Sequence, residues 1–196
     1  MVTPVPQRLV FLLILMSWFG CGEADHAFLE GPQLVVDPCR DGPATFAPFS
    51  CDFDMVSWVR AVEDFGMIEM RRGHRELTES DLLVLQFTSL NDTLAAWAQS
   101  PETPLTIDDE TIRLSLLLNQ RCPRQVQPLV APSGVIRLDR FDTDAGGRIS
   151  GYATFDLHDA RAPEDAPPAG ETMELRFDLE VRRGLPHEVF TRLQTQ

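Results

Sequence analysis

The run Arg148-Ile-Ser-Gly-Tyr-Ala-Thr-Phe-Asp-Leu-His158 decides the fold class. Ile149, Gly151, Ala153, Phe155 and Leu157 fall on one side of an extended chain, and Arg148, Ser150, Tyr152, Thr154, Asp156 and His158 on the other. Successive side chains of a strand point to opposite faces, so this alternation marks a strand with one face on a core and one toward water. Thr172–Arg182 repeats the pattern, with Met173, Leu175, Phe177, Leu179 and Val181 inward. Its outward face mixes Glu174, Arg176, Asp178, Glu180 and Arg182, as suits a solvated sheet face or a protected edge. Thr111–Asn119 does the same through Ile112, Leu114, Leu116 and Leu118. Leu82–Thr88 and Val135–Phe141 read as shorter strands, and Met67–Arg72 as a less regular one.

Outward from these runs the pattern changes. Asn91–Ser100 carries good helix formers and stops before Pro101, which predicts a short helix. Met55–Val62 fits a helix through Met55, Trp58, Val59 and Val62 with Asp54 as its N-cap. It fits equally a strand turning through Asp64-Phe65-Gly66, and the strand is the preferred reading. Turns and a Pro-rich acidic loop, Asp159–Glu171, separate the strands. A strand with one apolar face needs a second layer. The expectation is therefore a mainly β domain, an antiparallel β-sandwich or barrel of about 6–8 strands with one or two short helices.

Charge narrows the function classes. The 196 residues include 30 acidic and 17 basic side chains, every basic one an Arg, for a net charge of −13. A surface this acidic is repelled by nucleic acid, so no nucleic-acid partner is expected.

The start of the chain has its own grammar. Residues 1–8 end in Arg8, and Leu9 to Phe19 then run apolar almost without interruption. Eleven helical residues rise only about 16 Å, short of a ~30 Å hydrocarbon core, so this is a secretory leader rather than a spanning helix. Gly20-Cys21-Gly22 follows at once. Over residues 1–22 the chain resembles bacterial lipoprotein precursors, in which a small residue precedes the cysteine that is acylated before cleavage. The resemblance implies a signal peptide over residues 1–20 and lipidation of Cys21. Gly22, rather than Asp, implies sorting to the outer membrane. The competing reading is ordinary secretion with cleavage after Ala24, leaving a periplasmic or secreted protein. Residues 21–31 read as a tether and 32–196 as a single β-rich domain, within which the Pro, Gly and Ser residues from Asp37 to Ser50 mark an irregular segment.

With Cys21 assigned to lipid, Cys39, Cys51 and Cys122 remain, enough for one disulfide. Cys39 and Cys51 are the nearest pair and the first choice, with Cys122 as the alternative partner. Neither C-x-x-C spacing nor neighbouring histidines support zinc.

Asp142-Thr-Asp-Ala-Gly-Gly-Arg-Ile149 is the one motif with a metal-like rhythm. Calcium loops place oxygens at alternate positions, with a Gly for the sharp turn. Asp142 and Asp144, joined by Asp139, are the candidate calcium ligands. Gly146 stands where a third ligand belongs and Ala153 where a bidentate Glu should be, so a Gly-rich hairpin turn is the better fit. His158-Asp159 reads as a strand end rather than a catalytic pair, and Trp58 and Trp97 as packing residues. No nucleophile motif, G-x-G-x-x-G or P-loop is present, so no enzyme activity and no cofactor is expected. These readings point to a lipid-anchored, non-enzymatic envelope protein with a structural, assembly or protein-contact role. A small-ligand or lipid-binding β-barrel and an envelope hydrolase with an acidic site are the alternatives.

Overall fold

The structure is a computed structural model that describes residues 24–35, 45–62, 64–73, 79–108, 110–120, 128–163 and 165–182. It is mainly β, with two antiparallel six-stranded sheets and one helix among the described residues. The first sheet contains β1 (His26–Val35), β2 (Phe46–Phe53), β6 (Leu105–Ile107), β9 (Gly134–Phe141), β10 (Arg148–Phe155) and β12 (Met173–Glu180), ordered β2-β1-β12-β10-β9-β6. The second contains β3 (Met55–Val62), β4 (Phe65–Gly73), β5 (Ser80–Phe87), β7 (Ile112–Leu118), β8 (Leu129–Ala131) and β11 (His158–Asp159), ordered β11-β8-β7-β5-β4-β3. Helix α1 (Leu90–Gln99) follows β5. The sheets form a sandwich, not a closed barrel.

One residue, Asp54, carries the chain from β2 at the edge of one sheet to β3 at the edge of the other. Its carboxylate accepts a hydrogen bond from the Gly73 backbone N–H at 2.9 Å, so it braces a corner instead of capping a helix. β3 then crosses β1 and β12 and brings Trp58 to 6.3 Å from Phe141 on β9. Trp58, Phe87 and Phe141 form an aromatic cluster between the layers, and Trp97 packs on Phe141 from the helix. Around it, Leu83, Leu85, Leu116, Ile136, Ile149, Leu175 and Leu179 are fully buried. The inward residues expected for Arg148–His158 and Thr172–Arg182 all lie in this core. At Gly151, opposite a bulge in β9, an added Cβ would sit 2.4 Å from the Arg137 carbonyl, so only glycine allows the strands to approach this closely.

Four expectations change. Residues 26–31 are not tether: they are the first part of β1, hydrogen-bonded between β2 and β12. Pro32 and a bulge between Gly31 and Leu34 interrupt the alternation that would have revealed it. Residues 46–50 are not irregular either but open β2, where Pro48 is tolerated because β2 is an edge strand. The run through His158 does not stay in one strand: β10 ends at Phe155, Leu157 enters the core, and His158 pairs with Val130 in the other sheet. Among the described residues there are twelve strands: besides β1 and β2, the expectation leaves out β6, β8 and β11, which at two or three residues each are too short to show a period. Short strands also blunt the edges, β6 on one sheet and β11 on the other.

Candidate functional site

The two outer faces of the sandwich differ in chemistry. On the first sheet, one cross-strand row runs Asp52, Phe28, Arg176, Tyr152, Arg137 and the next runs Ser50, Glu30, Glu174, Thr154, Val135. Arg176 lies 5.8 Å over the Tyr152 ring. The Tyr152 hydroxyl is raised above its ordinary range, chiefly by burial and then by its hydrogen bond to Glu174. This is a wetted, charge-mixed face.

The outer face of the second sheet carries more apolar side chains, most of them half-buried. Its rows run Met55, Arg71, Leu82, Leu117; then Ser57, Glu69, Val84, Ser115, Val130; then Val59, Met67, Gln86, Arg113. Their strand neighbours Trp58, Ile68, Met70, Leu83, Leu85, Leu114 and Leu116 fill the core, so these rows point away from it. Glu69 and Arg71 are only 8% and 7% exposed and pair with each other through the Arg71 Nε and Glu69 Oε1 atoms. The hydroxyl of Ser57, beside Glu69 in the register, is buried without a hydrogen-bond partner among the described residues. Apolar side chains around a nearly buried ion pair are unusual for a sheet face turned to water.

Two clefts open elsewhere. One, of about 440 Å³, lies at the β1 bulge and contains Glu30 and Glu174, which face each other directly across the β1–β12 pairing. The other, of about 600 Å³, lies along the β9–β10 turn between Trp97 and the segment Asp139–Arg148. It holds the three candidate calcium ligands. Asp139 is bound to Arg137 at 3.0 Å, and Asp142 Oδ1 accepts from the Asp144 backbone N–H at 3.1 Å. The Gly147 N–H donates to the Asp144 carbonyl, Gly146 has φ +89°, and the Asp142 N–H donates to the Arg148 carbonyl. These are the bonds of a hairpin turn. Among the described residues no group of three or more His, Cys, Asp or Glu side chains is placed to hold a metal ion.

Compared with known proteins, the chain matches no family model, no curated protein and no solved structure. The site therefore rests on geometry alone.

Asp159 is engaged by Arg161, whose hydrogen bond, outweighing burial, holds its carboxyl below the usual range; it is committed to that partner rather than to His158. Trp97 packs on Phe141 and donates its indole N–H to the Leu138 carbonyl at 2.8 Å, covering the edge of β9 beyond β6. Cys51 is buried between the sheets, and burial pushes its thiol up to about 11 against the opposing pull of the Arg72 guanidinium. Cys21, Cys39 and Cys122, and with them the lipidation site and the candidate disulfide partners, lie outside the described residues; Cys51 is a free thiol in the structure.

The face that sequence reasoning missed is the apolar one. Its signal was present in Leu82, Val84 and Leu117, apolar residues at positions where the alternation called for polar ones.

Proposed function

We propose that this chain is a lipid-anchored, non-enzymatic protein of the cell envelope, sorted to the outer membrane through Cys21, whose role is contact with another envelope protein. The observation that carries the contact role is the difference between the two outer faces of the sandwich. One is charged and wetted; the other sets Met55, Val59, Met67, Val84 and Leu117 around the Glu69–Arg71 pair. These five side chains are half-buried rather than exposed, and apolar side chains gathered on the outer side of a sheet suit a packing partner. An ion pair set among them serves to fix the registration of whatever packs there. The leader supports the anchor, through its Arg8, its short apolar run and Gly20-Cys21-Gly22.

The alternatives have less behind them. A ligand-binding barrel needs an internal cavity, whereas the space between these sheets holds the Trp58, Phe87 and Phe141 rings. A hydrolase would draw on Glu30 and Glu174, yet acid–base work needs two carboxyls in unlike surroundings, and these two lie side by side on one open sheet face.

A photoreactive residue placed at Met67, and in a second variant at Arg137 on the opposite outer face, tests the contact in producing cells. The expected result is a discrete higher-mass adduct from position 67 and none from 137. An adduct from 137 alone, or from neither, overturns the assignment of the face.

A further inference from the structure

The first strand begins almost at the proposed anchor. Asp25 is already fixed in the fold, paired with Arg182 at 2.7 Å and accepting the Glu180 backbone N–H at 2.7 Å. Cys21 is four residues earlier, so at most about 14 Å of chain separates the acylated residue from the sheet. Lipoprotein anchors with long spacers leave their domains free to roam; this one has no such slack.

We infer that the acylated chain is held close against the lipid surface by one particular end of the sandwich, the end where β1 starts. This rests on the lipidation of Cys21 proposed above. The same end carries the β9–β10 turn, because the Gly146 N–H donates to the Val181 carbonyl and the Val181 N–H to the Gly147 carbonyl, both at 2.8 Å. Its surface toward the headgroups is therefore Asp25, Asp144, Gly146 and Arg182. Two of the carboxylates at this end are matched by arginines, Asp25 by Arg182 and Asp178 by Arg148 at 2.7 Å. That pairing lessens the repulsion an acidic chain meets at an anionic bilayer. The opposite end, at Val35 and Phe46, lies the full length of a ten-residue strand away, about 33 Å. Multiple acyl chains bind firmly enough to hold this arrangement.

The test uses acylated protein purified from membranes and returned to vesicles of phosphatidylethanolamine and phosphatidylglycerol that contain a headgroup-spin-labelled lipid. A fluorophore is attached through Asp144→Cys or Phe46→Cys in a background with Cys39→Ala and Cys122→Ala. The position-144 probe should lose most of its emission and the position-46 probe should keep nearly all of it. Equal quenching, or stronger quenching at position 46, overturns the orientation. Hydrogen exchange of the unmodified acylated chain gives a second reading should the variants fold poorly. Protection on vesicles, relative to detergent, should centre on residues 25–26, 142–148 and 180–182, and protection spread evenly overturns the proposal. Intact mass separates the two ideas: an unacylated chain defeats the anchor itself, while an acylated chain without the near–far difference defeats only the orientation.

Discussion

Replacing Phe141 by Ala is the sharpest perturbation of the sandwich. Phe141 is 3% exposed and stands at the crossing of three elements. Its ring lies 5.2 Å from Phe87 of the second sheet, 6.3 Å from Trp58 at the sheet-crossing strand and 6.1 Å from Trp97 of the helix. Truncation removes the transfer free energy of a whole ring and leaves a void that three large, rigid neighbours cannot easily close. The expected loss is about 3–5 kcal/mol, the usual range for Phe→Ala in a core. For a domain of this size each kcal/mol moves the midpoint by about 2–4 °C, so the melting temperature should fall by roughly 6–20 °C. Phe46→Ala is the control: this ring is 46% exposed at the edge strand, and its removal should change stability by less than about 0.5 kcal/mol. Urea unfolding followed by circular dichroism measures both, and tryptophan fluorescence reports the cluster itself because Trp58 and Trp97 flank the lost ring. A loss below about 1 kcal/mol for Phe141→Ala would mean that the layers are not locked together through this cluster.

Two further outcomes follow from the geometry. The Cys51 thiol has a folded value of about 11 against an ordinary 9.0, first because of burial. Its contribution to stability is therefore complete below about pH 9 and is lost as pH rises through about 11; urea midpoints at about pH 8 and about pH 10.5 should converge in Cys51→Ala relative to the parent, and an unchanged difference would place the alkaline loss elsewhere. In the β9–β10 turn, a Cβ at Gly147 would come within 2.4 Å of the Asp142 carboxylate carbon and 2.7 Å of its backbone oxygen. Gly147→Ala should therefore cost about 1–3 kcal/mol in urea unfolding, and a neutral result would mean that the turn is more open than described.

How much of this was legible depended on how long each strand kept its period. β5, β7, β9, β10 and β12 run seven or eight residues with their core positions apolar, and the helix after Ser89 is bounded by Pro101, so all were readable. β1 and β2 were hidden by the Pro and Gly residues at their bulge and edge. In β2 the alternation of Phe49, Cys51 and Phe53 was present, yet Pro48 argued against a strand; only the register shows that it lies at an edge. The hairpin turn expected at Asp142–Gly147 is present in its hydrogen bonds and in the positive φ of Gly146, because turn chemistry is local. The character of the second sheet's outer face was not legible, since Glu69 and Arg71 read as ordinary outward charges until their pairing and burial are seen. Properties of a face are assembled from five strands, and no single stretch of chain displays them.

The pairing of the first strand with the last has a consequence for how the protein is made. β1 joins the rest of its sheet only through β12, and the bond from the Glu180 N–H to Asp25 spans 155 residues. Until β12 arrives, β2–β1 and β10–β9–β6 are two unconnected parts of their sheet. Closure over such a separation is slow, and the sheet cannot be completed during synthesis from the amino end alone. The first sheet of a chain wired in this way stays incomplete until β12 has emerged, whereas every strand of the second is made before it.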